Sequence, residues 1–250
     1  MKGEHKMNRE DAIVVTNLKK SYQRNKILKG LNLTIKKGEV YGLLGANGAG
    51  KSTTIESILG IKPKDEGTVR ILNLNPISDR KELFKDVSVQ FQQTSYPDKI
   101  KVKELCIETQ CLYKEPLDYN HLLEQFDLLP KKDAYVKELS GGQQQRLFIV
   151  LALIPNPKVV FLDELTTGLD VKSRRLVWRS LNELKKKGLT IFLTSHFMDE
   201  VEALCDRIGI LKDGTLIFEG TIEEAINQSN YQTLSEAYLW FVDEEELEYE

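Results

Sequence analysis

The sequence predicts an α/β fold with a parallel-sheet core, an N-terminal antiparallel β subdomain and an inserted α-helical subdomain. Two continuous apolar stretches, "KVVFLDE" and "LTIFLTSH", indicate buried parallel strands, and the helix-like "VKSRRLVWRSLNELKKKG" lies between them. A third apolar stretch, "EVYGLLG", leads through a glycine-rich loop into another helix-like segment. Strand and helix signals that alternate in this way are typical of parallel strands joined by helices.

The antiparallel layer is indicated by segments in which apolar and polar residues alternate. "LNLTIKKGEV" alternates and then turns at Gly38, and "GTVRILNLN" and "VSVQF" also have strand patterns. Further along, "RIGILKDGTLIFEG" contains Asp213-Gly214, a strong signal for a two-residue hairpin turn. These segments predict antiparallel pairs beside the parallel core.

The helical subdomain is indicated by a change of pattern. Strand signals disappear from about residue 94 to residue 156, where helix-like stretches such as "YNHLLEQFDLL" replace them. We therefore expect one domain over residues 8–225, with a helical subdomain inserted at about 94–156. In the C-terminal extension, residues 226–250, we expect Trp240 and Phe241 to pack on the domain and the acidic tail "DEEELEYE" to be solvated.

Composition limits the possible classes of protein. The chain has 250 residues, of which 41 % are hydrophobic, enough for a sizeable core. Its net charge is −3; without the six acids of the tail, 32 acidic residues face 35 basic ones, a net charge of +3. This balance gives no sign of nucleic-acid binding. The three cysteines have no C-x-x-C spacing, which argues against zinc or disulfides and favours a reducing cytosol.

No segment of the sequence is long and apolar enough to predict a membrane span. The longest apolar run, Leu147 to Ile154, has eight residues before Pro155, whereas a spanning helix needs about 20. The first ten residues lack the apolar stretch of a secretory signal. If a membrane is involved, we expect another chain to cross it.

The glycine-rich loop "LLGANGAGKST" matches the phosphate-loop pattern, with Gly45 followed after four residues by Gly50, Lys51 and Ser52. N–H groups at a helix start attract an anion, and glycines allow a phosphate to come close. Lys51 supplies a positive charge for the outer phosphates, and the Ser52 hydroxyl can ligate Mg²⁺. The loop therefore predicts a site for a nucleoside triphosphate and Mg²⁺; the alternative is a glycine turn with a surface lysine.

Two adjacent acids end the apolar strand "VVFLDE". The carboxyl ends of parallel strands are where such sheets place their ligands, so these acids are candidates for the same site. Asp163 is expected to bind the water shell of Mg²⁺, and Glu164 to orient or deprotonate an attacking water. The alternative is that both are solvated acids at a strand end.

A second possible anion site is "LSGGQQQR", Leu139 to Arg146. Ser140 is expected to be the N-cap of the helix that follows, and two glycines expose the N–H groups of its first turn. Taken alone, this stretch is better explained as an ordinary capped helix after a loop.

Together, "GANGAGKST", "LSGGQQQR" and "VVFLDE" resemble, in order and spacing, the Walker A, signature and Walker B motifs of the ATP-binding cassette (ABC) family. The signature distinguishes this family from other P-loop NTPases. The resemblance extends from about Ile13 to about Gly220 and implies a P-loop NTPase (RecA-like) core that binds ATP and Mg²⁺ and hydrolyses ATP.

The resemblance also implies roles for individual residues. Tyr22 would stack on adenine, Thr53 would contact the α-phosphate, and the signature would serve the ATP of a neighbouring subunit. The full ATP-binding set is Tyr22, Asn47, Gly48, Ala49, Gly50, Lys51, Ser52, Thr53, Ser140, Gly141, Gly142 and Gln143.

Further positions matched to the family have catalytic or metal-binding roles. The catalytic set is Glu164, His196, Gln92 and Asp170. The metal set is Ser52, Gln92 and, through water, Asp163. His196 would contact the γ-phosphate. Gln93 is adjacent to Gln92, so an assignment one residue later stays open.

In this family two cassettes hold two ATP molecules head to tail, which implies a homodimer or heterodimer here. The Q-loop and helical subdomain would bind an integral membrane subunit. Within the family, "SHFMDEVEALCDRIGILKDGTLIFEGT" and "TLSEAYLWFV" resemble bacterial ABC-2-type exporters of drugs, antibiotics or bacteriocins. We therefore expect a cytoplasmic protein, peripheral on the inner face of the membrane, with no nucleic-acid partner.

Three other functions stay open. An importer ATPase is the nearest, although such subunits often carry an added regulatory domain. A soluble cassette acting on DNA or ribosomes usually has two cassettes, a coiled coil or a zinc-bearing insertion. An inactive nucleotide-binding partner is disfavoured by the presence of Glu164.

One position departs from the family pattern. Family members usually have proline after the Walker B glutamate, whereas this chain has Leu165. Proline would fix φ, so leucine is expected to leave this turn freer, with a modest effect on activity.

Overall fold

The computed structural model describes residues 10–91, 96–97 and 99–243. Within these ranges the chain forms two sheets flanked by helices. The strands are β1 Asp11–Tyr22, β2 Asn25–Lys36, β3 Val40–Leu44, β4 Glu66–Ile71, β5 Val87–Gln90, β6 Val159–Leu162, β7 Thr190–Ser195, β8 Arg207–Lys212 and β9 Thr215–Gly220. The helices are α1 Lys51–Ile58, α2 Arg80–Leu83, α3 Val102–Cys111, α4 Tyr119–Gln125, α5 Gly141–Leu153, α6 Val171–Lys186, α7 Met198–Leu204, α8 Ile222–Ser229 and α9 Leu234–Asp243.

The smaller sheet is antiparallel, with the order β2-β1-β4. It confirms the antiparallel layer for "LNLTIKKGEV" and "GTVRILNLN", which form β2 and β4. The prediction is wrong for "VSVQF", because this segment forms β5, which pairs parallel with β6 at the edge of the larger sheet. Its apolar side chains share one core with α1 and with one face of the larger sheet. That core includes Ile13, Leu33, Ile55, Phe161 and Phe192, all nearly or fully buried. The alternation in sequence thus reflects a sheet with one face on the core and one towards solvent.

The larger sheet has the order β5-β6-β7-β3-β8-β9 and is parallel except for β9, which pairs antiparallel with β8. Every residue of β3, β6 and β7 is buried. Strands covered on both faces require continuous apolar sequence, which is the pattern that predicts them. Because β7 lies between β6 and β3, the carboxyl ends of these three strands are neighbours. The α/β fold class is therefore confirmed, and its topology places three candidate site segments side by side.

The described residues between β5 and β6 contain α3, α4, α5 and two short 3₁₀ turns, and no strand. These helices pack with α6 on the second face of the large sheet. The shared core includes Leu122, Phe126, Leu147, Leu162 and Leu181. The exact limits of the helical subdomain, and of the domain over 8–225, stay predictions.

The C-terminal helices α8 and α9 pack on the end of the large sheet. Their core joins Ile208, Phe218, Leu234 and Phe241. The rings of Phe218 and Phe241 lie 4.8 Å apart, and Trp240 packs against the same cluster. The expected packing of Trp240 and Phe241 is thus confirmed, while residues 244–250 of the acidic tail lie outside the described residues.

Among the residues that the structure describes, no helix has the length and apolarity needed to cross a membrane.

The hairpin between β8 and β9 turns at Asp213-Gly214, as the sequence predicts. Gly214 has a φ of 75°, and its N–H donates to the Ala49 carbonyl oxygen at 3.1 Å. A Cβ at this position would lie 1.9 Å from the Ile27 carbonyl oxygen. The turn therefore needs glycine both for its backbone conformation and for its close approach to the backbone of β2.

Candidate active site

The glycine-rich loop links β3 to α1 and brings the backbone to the start of that helix. Gly48 and Gly50 have φ values of 86° and 109°, in the region that favours glycine. A Cβ on Gly45 would lie 2.6 Å from the Leu211 carbonyl oxygen. The N–H groups of the first helical turn have no carbonyl one turn earlier to bind, so they are available to a ligand. The loop has the shape that a phosphate requires.

Lys51 is the first residue of α1, and its side chain returns across the loop. The residue is only 6 % exposed, and Nζ donates to the carbonyl oxygens of Gly45 at 2.8 Å and Ala46 at 3.1 Å. Burial lowers the pKa of Lys51, and the charges of Glu164 and Asp163 partly oppose that shift. A buried cation near two acids and two carbonyls is a ready counter-charge for a polyphosphate.

The space in front of this loop is a cavity of about 230 Å³. It is lined by Tyr22, Ile27, Asn47, Gly48, Gly50, Lys51, Ser52, Thr53 and Glu164. Seven of the predicted ATP-binding residues thus share one cavity with the predicted catalytic base. Ala49 also belongs to the loop, but its side chain is buried on the side opposite the cavity. Its carbonyl oxygen accepts a hydrogen bond from the Gly214 N–H.

The two acids after β6 have different surroundings. Asp163 is 4 % exposed, and its Oδ1 accepts a hydrogen bond from Thr194 Oγ1 at 2.5 Å. Glu164 has a positive φ of 51°, and its N–H donates to the same Thr194 oxygen at 3.0 Å. One hydroxyl on β7 therefore binds the carboxylate of Asp163 and the backbone of Glu164, the two residues that follow β6. It fixes the direction of the Asp163 side chain and the backbone position from which the Glu164 side chain starts.

The residues around the cavity fit MgATP. A buried ammonium, a helix start and the exposed Ser52 hydroxyl meet on one side, and the Glu164 carboxylate lies on the other. The first group has the charge and N–H donors for phosphates, and Ser52 with Asp163 offers the oxygen ligands that Mg²⁺ prefers. The roles of these residues stay predictions, but the structure brings them together.

His196 follows β7 and is exposed, with its ring 4.1 Å from that of Phe197. It lies at the carboxyl end of the strand between β6 and β3, but it is not among the described residues that line the cavity. Gln92 and Gln93 fall outside the described residues. Their predicted roles therefore stay predictions; the described part of this region is β5, which pairs with β6.

Ser140 is the N-cap of α5, as the sequence predicts. Its Oγ accepts from the Gln143 N–H at 3.3 Å, and its own N–H donates to Gln143 Oε1 at 3.0 Å. This reciprocal pair is a capping box. Ser140 and Gly141 are exposed, and no residue of this helix start lines the Lys51 cavity in the described part of the chain. The helix start within the signature therefore faces solvent, whereas the residues at the two ends of the motif, Leu139 and Arg146, are buried.

Asp170 caps α6. Its Oδ1 accepts from the Ser173 N–H at 3.0 Å and its Oδ2 from the Ser173 hydroxyl at 2.7 Å. The Ser173 N–H, followed by the Ser173 hydroxyl, lowers the pKa of Asp170. Asp170 is exposed and does not line the Lys51 cavity, so within this chain the visible role of its carboxylate is structural.

Comparison with known proteins identifies the family. A family model described as ABC transporter matches residues 28–167, more than half of the chain. The Nod factor export ATP-binding protein I of Paraburkholderia xenovorans (strain LB400) is 40 % identical over 222 residues, which cover 84 % of this chain and 71 % of that protein. The protein of the same name from Sinorhizobium fredii (strain NBRC 101917 / NGR234) is 39 % identical over 87 % of this chain and 65 % of its own length.

The chain belongs to the ABC transporter family. It is a cassette ATPase with the P-loop NTPase fold, of a family that binds and hydrolyses MgATP. The structure of an ATP-binding subunit of an ABC transporter has a TM-score of 0.84, with 25 % identity over 92 % of this chain and 99 % of the other. The dimeric structure of a bacterial ABC transporter cassette has a TM-score of 0.76, with 28 % identity over 84 % and 98 % of the two chains.

Leu165 differs from the sequence-based expectation. It is fully buried in the core formed by the helical subdomain and α6, and its carbonyl oxygen accepts from Gln145 Nε2 at 2.9 Å. The turn after Glu164 is therefore held by packing, whereas the sequence suggested a freer turn. The reason is that the leucine side chain meets helices distant in sequence, which a local pattern does not reveal.

Sequence reasoning missed Thr194, the residue that holds the Asp163 carboxylate and the Glu164 backbone of this cassette. It is fully buried and hydrogen-bonds both Asp163 and Glu164. The available signal was a hydroxyl residue inside the otherwise apolar stretch "LTIFLTSH". A buried hydroxyl needs a hydrogen-bond partner, so Thr194 points to polar groups on a neighbouring strand.

Tyr22 is predicted to bind the base of ATP rather than its phosphates. Its ring lies 5.1 Å from Lys20 Nζ and 5.5 Å from Lys62 Nζ, and Lys62 is paired with Glu56 of α1 at 2.7 Å. These cations hold the ring beside the cavity. We expect Tyr22→Ala to weaken MgATP binding about tenfold, because stacking of a base on an aromatic ring contributes about 1–3 kcal/mol.

Equilibrium titration of the Tyr22→Ala cassette with MgATP and with magnesium tripolyphosphate, which has no base, checks this expectation. The tripolyphosphate Kd should change less than twofold, and Tyr22→Phe should bind both ligands like the unsubstituted chain. Equal weakening for the two ligands would show that Tyr22 supports the loop and not the base.

Proposed function

We propose that this cassette is the ATP-hydrolysing subunit of an ABC exporter and acts as a dimer bound to an integral membrane subunit. The proposed use of ATP rests on one observation: the buried Lys51, the start of α1 and Glu164 line the same cavity. The outward direction is supported by the printed names of the two relatives, both of them export proteins. The proposed cargo is a drug-like molecule, an antibiotic or a peptide, selected by the membrane subunit.

The residues of this chain have complementary roles in the proposed reaction. Lys51 and the first N–H groups of α1 hold the phosphates, and Ser52 with Asp163 would hold Mg²⁺. Bound Mg²⁺ supplies positive charge that neutralises the phosphates and the leaving group. Glu164 orients the attacking water and accepts its proton, while His196 donates a hydrogen bond to the γ-phosphate. Thr194, on the adjacent strand, fixes the Asp163 carboxylate and the backbone of Glu164.

The second half of each site is proposed to come from another copy or a sister cassette. The helix start after Ser140 is exposed and distant from the cavity lining of its own chain, so it is free to cover the ATP of a partner. A dimeric cassette is among the solved structures that resemble this chain. ATP between the two surfaces favours the closed dimer, and hydrolysis removes the charge that bridges them.

Blocking hydrolysis should trap this closed dimer. Glu164→Gln keeps the size of the side chain but removes the base, so the variant should bind MgATP without hydrolysing it. We expect gel filtration with MgATP to give the mass of a dimer, and without nucleotide that of a monomer. The matched control, Glu164→Gln with Lys51→Met, should stay monomeric in both buffers. A Glu164→Gln chain that elutes only as a monomer with MgATP contradicts the proposed dimer.

The membrane partner is proposed to dock on the helical subdomain. Two exposed apolar side chains support this choice: Ile107, in the middle of α3, is 44 % exposed, and Leu112, directly after α3, is 76 % exposed. Exposed apolar residues on a helix suit an amphipathic helix from another protein.

Recovery of the native partner tests the transport function. A tagged Glu164→Gln chain is extracted from its native membranes in mild detergent with MgATP, and the proteins that accompany it are identified. We expect a polytopic membrane protein, and at least fivefold less of it when Ile107 and Leu112 are both changed to Asp. Ile217→Asp, at an exposed apolar residue on β9, is the matched control and should retain the partner.

Two outcomes would contradict the exporter proposal. Recovery of the membrane protein together with a solute-binding protein would indicate import. A chain that stays in the soluble fraction with ribosomes or DNA would leave the ATPase chemistry in place and exclude transport.

A further inference from the structure

The buried carboxyl of Glu200, on α7, has no evident structural purpose. The residue is 0 % exposed, and its Oε2 has no hydrogen-bond partner in the described part of the chain. Its Oε1 receives only a long hydrogen bond, 3.5 Å, from Trp178 Nε1. Burying a carboxyl with incomplete hydrogen bonding is unfavourable, and an apolar residue would fill the same space at lower cost.

The nearest cation does not neutralise this carboxyl. Arg174 stacks on the Phe197 ring at 4.0 Å, donates to the Leu169 carbonyl oxygen at 3.2 Å and lies 3.8 Å from Asp199. It forms no ion pair with Glu200 in the part of the chain that the structure describes. Burial accordingly raises the pKa of Glu200, with smaller opposing effects from Ser195, Thr166, Trp178 and Arg174.

Glu200 lies close to two segments of the candidate active site, the one after Glu164 and the one before His196. Thr166 lies two residues after Glu164, and Ser195 lies directly before His196. Both are essentially fully buried, and both hydroxyls are close enough to Glu200 to influence its charge. The Thr166 hydroxyl, like Glu200 Oε2, is buried and has no hydrogen-bond partner among the described residues. These two groups face each other from different segments. A small movement of the Thr166 segment or of α7 would let the Thr166 hydroxyl hydrogen-bond to Glu200 Oε2.

We propose that Glu200 is a positioning residue for ATP hydrolysis, which holds the Glu164 and His196 segments in register through Thr166 and Ser195. The inference rests on the proposed function, because it assumes that Glu164 and His196 act on ATP. When the site closes, the Thr166 hydroxyl donates to Glu200 Oε2. Trp178, on the helix α6 that follows Asp170, donates to the Glu200 carboxyl. Helix α6 and the segments of Glu164 and His196 therefore move as one unit.

Kinetic constants of variants test the proposal. Glu200→Ala should lower kcat for MgATP at least tenfold, while KM and the Kd for MgATP stay within twofold, because no group that binds nucleotide is removed. Glu200→Gln keeps the shape and an acceptor oxygen, and should retain at least a third of kcat. Glu202→Ala, at an exposed residue of the same helix, is the matched control and should retain the original kcat and KM. Each variant is assayed well below its own Tm.

A double-mutant cycle with Thr166→Val identifies the contact. Thr166→Val should lower kcat severalfold alone and less than twofold in the Glu200→Ala background, because the two changes remove the same bond. The proposal would be overturned if the two substitutions lowered kcat independently, so that their fold-changes multiplied in the double variant. It would also be overturned if the kcat of Glu200→Ala stayed within twofold of the original, or if Glu200→Ala weakened MgATP binding as much as it lowered kcat. Failure of the unsubstituted chain to hydrolyse MgATP would instead contradict the proposed function itself.

Discussion

The arrangement of the site depends on one buried cation, the Lys51 ammonium, held between two carbonyl oxygens of the loop that precedes it. A lysine with 6 % exposure is stable only if its charge is compensated, and Gly45 and Ala46 supply carbonyl dipoles at 2.8 and 3.1 Å. The charges of Asp163 and Glu164 add to this compensation. Keeping the cation there requires a loop of unusual backbone conformation and two acids on a nearby strand. The glycines and the sheet order satisfy these two conditions.

The sheet order also explains why segments distant in sequence lie close together. β7 lies between β6 and β3, so the acids after β6, His196 after β7 and the loop after β3 reach one edge of the sheet. Thr194 connects two of these strands by bonding both acids. Behind the loop, the turn at Gly214 supports Ala49 through a backbone hydrogen bond. The phosphate loop is therefore held by the β8–β9 hairpin on one side and faces the acids on the other.

Much of this could be predicted from sequence because the decisive signals are local. Continuous apolar stretches predict the buried strands, Asp213-Gly214 predicts its turn, and the glycine spacing around Lys51 predicts the loop. What sequence reasoning missed depends on contacts between distant segments. Leu165 is fixed by helices of the inserted subdomain, Thr194 by the neighbouring strand and Glu200 by α6. No local pattern contains these pairings, since they follow from strand order and helix packing.

The central claim is that the Lys51 ammonium is the counter-charge for a bound triphosphate. Isothermal titration of the cassette with MgATP, for the unsubstituted chain and for Lys51→Met, tests it most directly. Methionine has a similar length and no charge, so it removes the cation with little change in volume. We expect the Kd to rise at least thirtyfold, which corresponds to about 2 kcal/mol, and hydrolysis to be lost. Unchanged affinity and turnover in Lys51→Met would contradict the claim.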